Sequence, residues 1–235
     1  MPSGGIVYVK NSEINDDITI NKSIRFIGVK SNESKPKING MITINSSNIL
    51  IDGFEIYAVN SRYGITTHLK EEHDSNTNIW EPTTKSSPEP YYENITISNN
   101  TINGSLFDGI SLVHSKNISI LSNILNAQEK IGLRLSDCLN VTIFQNEIKT
   151  RDDYLSRPSK SNICLGGCTN VSLNDNIVPR SILIHNFGSE NMSFCNNSCG
   201  NTDCKIADFS YSLTFVKRSF DYDRGTQAEV DNRCE

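Results

Sequence analysis

The chain has 235 residues, 36% of them apolar and 21% charged, with a formal net charge of −5 and a pI near 5.4. That length can bury a substantial core, whereas the acidic balance excludes a protein that grips nucleic acid through clustered Lys and Arg on phosphates. No run of about 18 apolar residues occurs, so no membrane insertion is expected, and the overuse of Asn, at 29 residues, calls for a structural reason.

The opening residues Met1 to Gly5 lack a basic stretch leading into an apolar one. An export signal is therefore expected outside this chain, which reads as part of a longer precursor. Ser23 to Val29 and Asn48 to Phe54 are the first alternating apolar segments, and a stricter repeat follows them. It runs Asn, aliphatic, Ser or Thr, apolar, two free positions, Asn. It starts at Asn94, Asn117, Asn140, Asn170 and Asn191, so the first Asn recurs after 23, 23, 30 and 21 residues. A second alternating strand precedes each later copy, as in Ile110 to Leu112, Leu133 to Leu135, Ile163 to Leu165 and Ile184 to Asn186. Period-two alternation with β-branched residues predicts strands rather than helices. A unit of this size cannot bury its apolar edge alone and is expected to stack on its copies. The fold predicted is all-β: a single-stranded right-handed parallel β-helix of about seven or more coils, with its hand taken from the bias of parallel crossovers. Asn suits the turns because it tolerates left-handed backbone angles and its amides can bond one another up a column.

Two insertions interrupt the coils, at about 60–92 and 150–161. The β-helix is assigned to 1–205, and 206–235, whose Phe209 to Phe215 alternates, to a last strand and tail covering the open end. Seven cysteines form no CxxC pair, and neither they nor the four histidines show ligand spacing, so no metal site is expected and disulfides are. Cys138 and Cys168 each stand two residues before a repeat Asn and are expected to stack as a disulfide. Eleven Asn-x-Ser/Thr sequons occur, five of them being the repeat motif itself.

Gly5 to Lys10, Ile18 to Gly28 and Lys37 to Gly40, followed by the Asn repeats, resemble the pectin-lyase-like superfamily of parallel β-helices. Within it the chain is similar to β-helix repeat proteins such as periplasmic copper-binding accessory proteins and archaeal surface proteins. The likeness covers roughly residues 5 to 200 and implies the fold more than an activity.

Aligning the repeats places Ser111, Arg134, Cys164 and His185 in one outward column, with His114, Asp137, Gly167 and Gly188 three residues further on. In the lyases that the chain resembles, an outward Arg acts as base near carboxylates that hold calcium against an acidic sugar. Arg134 with Asp108 and Asp137 is the corresponding catalytic candidate, and calcium the cofactor it would call on. Trp80, Tyr154, His114, His185, Arg151 and Arg157 are the candidate substrate-binding residues, since aromatic platforms and loop polar groups suit sugars. The function expected is a secreted or cell-surface β-helix whose partner is a polysaccharide or glycan. The alternatives are a polysaccharide lyase or glycoside hydrolase, and a metal-handling accessory protein.

Overall fold

The computed structural model describes residues 4–67, 71–74, 79–82, 91–128, 131–150, 162–179, 182–200, 203–208 and 226–229. Among them there is no helix. Three parallel sheets, each built from one short strand per coil, wind into a right-handed β-helix of 8 coils. Sheet 1 runs from Gly5–Lys10 to Glu190–Cys195, sheet 2 from Glu13–Ile14 to Ser198–Cys199, and sheet 3 from Ile18–Ile20 to Lys205–Asp208. Thr226–Glu229 then pairs antiparallel with Lys205–Asp208 at the end of sheet 3.

The register is the one the repeat implies. Ile118, Val141, Val171 and Met192 stack in sheet 1, and Ile110, Leu133, Ile163 and Ile184 in sheet 3. Every member is buried except Met192, which packs partly buried against the core. Ile38, Ile56, Ile102, Leu125 and Ile148 close the interior from sheet 2. A short strand thus buries its apolar side only because the neighbouring coil covers it.

The two Asn of each repeat do different work. The first adopts left-handed angles, φ being 57° at Asn94, 55° at Asn117 and Asn140, 58° at Asn170 and 53° at Asn191. Its exposed amide donates to the Asn of the previous coil, at 3.1 Å from Asn117 to Asn94 and from Asn140 to Asn117. The second, at Asn100, Asn123, Asn146, Asn176 and Asn197, turns inward and is buried. The left-handed angle there falls on the residue before it, Asn99, Ser122, Gln145, Asp175 or Asn196. From Asn100 to Asn176 each buried amide donates both to the next amide and to a backbone carbonyl of the preceding coil, and Asn197 donates to the Leu173 carbonyl.

Two boundaries shift from those expected. Tyr63–Thr66 completes the third coil inside the 60–92 segment, so the insertion begins after it and carries an antiparallel pair, Glu71–Asp74 with Ile79–Pro82. The β-helix continues through Asp208, past residue 205. The expected alternating strand from Phe209 to Phe215 lies outside the described residues.

Candidate functional site

Ser111, Arg134, Cys164 and His185 do form one column on the outer side of sheet 3, which Thr66 extends by one coil. The column is not the solvent-facing polar face expected of it. Ser111 is 0% exposed, Cys164 6% and His185 1%, so His185 presents nothing to a ligand. Alternation tells which side of a strand a residue takes, but not what lies over that side. Arg134 alone emerges, with a third of its side chain exposed.

Arg134 Nε lies 2.7 Å from Asp108 Oδ2, joining neighbouring coils. Asp108 is buried, and a buried carboxylate is tolerated only when paired in this way. It precedes Gly109, where an added Cβ would sit 2.7 Å from the Gly132 carbonyl oxygen; that close approach demands glycine. The same ion pair commits the guanidinium to a carboxylate of the neighbouring coil, which opposes the role of base expected for Arg134. In the next coil, burial pushes the Cys164 thiol up to about 11, against a smaller lowering by Arg134. Such a thiol stays protonated and serves poorly as nucleophile or ligand.

The other carboxylate expected beside Arg134 is engaged elsewhere. His114 and Asp137 occupy the corner between sheets 3 and 1, in left-handed conformations with φ of 48° and 52°. His114 Nδ1 meets Asp137 Oδ2 at 2.6 Å, so Asp137 pairs with His114 rather than joining Asp108 and Arg134. The Tyr91 ring stacks on the imidazole, with centroids 3.9 Å apart and planes inclined by 16°. Burial first, then the Asp137 charge, push the Tyr91 hydroxyl up. Sequence reasoning placed Tyr91 in an insertion without a role. Its position immediately before the sheet 1 strand Tyr92–Ser98, one coil from His114, is the signal that could have found it.

Cys138 and Cys168 lie just past this corner in adjacent coils, where the Thr169 amide donates to the Cys138 carbonyl at 2.9 Å. The stacking is as expected, but both are buried thiols and the expected disulfide is not formed. Hydrogen bonding to Cys168, together with burial, holds the Cys138 thiol well above its ordinary range. The disulfide present instead joins Cys199 and Cys204, and Cys195 is disulfide-bonded as well.

Trp80 is placed by its backbone alone, paired with His73; its side chain, and Arg151, Tyr154 and Arg157, lie outside the described residues. Among the described residues no group of three His, Cys, Asp or Glu side chains could hold a metal ion.

No family model matches the chain, and no curated protein sequence matches it. Solved structures do. A candidate glycosyl hydrolase from Parabacteroides merdae superposes with a TM-score of 0.50 at 15% identity, over 74% of this chain and 79% of that one. The enzymatically active domain of tailspike protein 2 from bacteriophage CBA120 gives a TM-score of 0.48 at 14% identity, over 86% of this chain but 43% of its own. At such identities the likeness concerns the fold alone, and the chain is a right-handed parallel β-helix.

Proposed function

We propose that the protein is an extracellular or cell-surface β-helix that binds a polysaccharide along the outer edge of sheet 3. The observation that carries this reading is the Tyr91, His114 and Asp137 cluster, an aromatic ring and an ordered polar pair at one exposed corner. Arg134 stands three residues along the same chain from Asp137, roughly 10 Å at strand spacing, so an extended chain of sugars could reach both. A neutral glycan suits the charge best, because the protein carries a net −5 and Arg134 is already offset by Asp108. The Cys199–Cys204 disulfide fits an oxidising compartment.

The test is a glycan array followed by calorimetry on the hits. Tyr91→Ala and His114→Ala should weaken binding by about tenfold each, a loss of about 1.4 kcal/mol; folded variants that bind as wild type would place the ligand elsewhere. Arg134→Ala is the poorer probe, since it strands the buried Asp108 charge.

A second reading, polysaccharide cleavage, draws on the 2.6 Å bond that orients the His114 imidazole as a base would be oriented. Its assay is release of reducing ends or unsaturated uronates, with and without calcium. Turnover that His114→Ala abolishes would establish it.

A further inference from the structure

The connections between sheets 2 and 3 differ in length over the first three coils. They are residues 15–17 in the first coil, 39–41 in the second and 58–62 in the third. The third stands as a wall beside the two shorter turns, whose close packing leaves no room for a Cβ at Gly40, 2.6 Å from the Asp16 carbonyl oxygen. An open groove of about 800 Å³ results, lined among others by Glu13, Asp16, Asp17, Lys37, Asn39 and Tyr57.

The groups in this groove are held in set directions. Asn39 donates both amide hydrogens, to Glu13 Oε1 at 2.7 Å and to Asn15 Oδ1 at 2.6 Å. Asp17 Oδ1 accepts the Met41 amide at 2.7 Å, and Asp16 Oδ1 accepts the Asp17 amide at 2.9 Å. Each of the three carboxylates is thus pinned through one oxygen, and the second has no protein partner among the described residues. The Lys37 ammonium lies 5.8 Å from the centre of the Tyr57 ring, and the Tyr57 hydroxyl donates to Glu55 at 2.6 Å. The Tyr57 ring is thus held at the groove side with the Lys37 ammonium over one face, and the lining, with three carboxylates to one ammonium, remains anionic overall.

We propose that this groove is a carbohydrate subsite for an amine-bearing sugar, separate from the edge of sheet 3. An aromatic ring accepts the C–H face of a sugar, and fixed carboxylate oxygens accept from ammonium and hydroxyl groups. A uronate would be repelled by the same oxygens. A metal ion is a poorer occupant, because the three carboxylates do not gather as one ligand set. The subsite shares only a ligand class with the sheet 3 reading, and none of its residues lies on that edge.

Calorimetry on the 235-residue chain with tetramers of glucosamine, N-acetylglucosamine and galacturonic acid tests it. Wild type should bind the glucosamine tetramer best, and weaken as salt rises. A variant carrying Glu13→Gln, Asp16→Asn and Asp17→Asn keeps every pinning acceptor; it should lose roughly tenfold of that affinity, as three exposed ion pairs would. Asp16→Asn alone, at an exposed position, gives a smaller loss if the triple variant fails to fold. His114→Ala should leave glucosamine binding unchanged, which separates this subsite from the sheet 3 reading. No binding of the glucosamine tetramer at millimolar concentration, salt-independent binding, equal affinity for galacturonate, or a folded triple variant that binds as wild type would each overturn the proposal.

Discussion

Two columns of Asn climb this β-helix six residues apart in every repeat, and they meet water differently. In the outer column, Asn94 through Asn191, each amide bonds its neighbour but is also open to solvent. In the inner column, Asn146 Oδ1 accepts from the Asn123 backbone at 2.9 Å and its side chain at 3.0 Å, while Asn146 Nδ2 donates to the Ile120 carbonyl at 2.8 Å and to Asn176 Oδ1 at 3.1 Å. Identical side chains thus differ in what replaces them when they are lost. Water can stand in for an outer amide; nothing reaches the partners of an inner one.

The largest effect should therefore come from Asn146→Ala. It leaves the buried Asn123 backbone N–H without its acceptor and strips the Ile120 carbonyl and the Asn176 amide of a partner. Unsatisfied buried groups cost about 1–3 kcal/mol each, so a loss of at least about 3 kcal/mol is expected in urea unfolding. A loss under about 1 kcal/mol would mean that the inner ladder is ornamental.

Water exclusion has a second reporter on the outer side of sheet 3. Cys164 ionises at about 11 in the folded protein, against 9.0 for an ordinary thiol. Because the folded value is raised, the thiol is neutral in both states below about pH 9 and contributes no pH dependence there. Above it the unfolded chain releases the proton first, so stability falls between about pH 9 and about pH 11, by up to about 2–3 kcal/mol. Cys164→Ala should remove that portion of the alkaline loss. Identical alkaline profiles for the two proteins would show that the thiol is open to solvent.

Much of this was legible in the chain. Alternation and spacing named the inward columns, as with Val141 over Ile118, and the stacking of Cys138 on Cys168 followed from the same count. What alternation could not carry was the cover over a face. His185 and Ser111 lie on the outer side of sheet 3 and are buried all the same. Nor could it carry pairing at corners. Asp137 was expected beside Arg134, yet the left-handed turn it shares with His114 directs its carboxylate to the imidazole. Whether two stacked thiols are oxidised depends on redox surroundings, which spacing does not encode.

The smallest expected effect, at Asn140 in the outer column, sharpens the comparison most. Asn140 sits at φ 55°, donates to Asn117 at 3.1 Å and accepts from Asn170 at 3.0 Å, all at an exposed position. Two contributions are mixed there: tolerance of a left-handed backbone, and the amide bonds. Asn140→Ala loses both and should cost about 1–2 kcal/mol, the penalty for a Cβ in that conformation. Asn140→Gly loses only the bonds, and since water replaces them its cost should be a few tenths of a kcal/mol, about that of an exposed cap replaced by glycine. Thermal melts of the two variants decide the matter. If glycine costs as much as alanine, the exposed amides stabilise the coil stack in their own right, and the distinction drawn between the columns fails at its outer member.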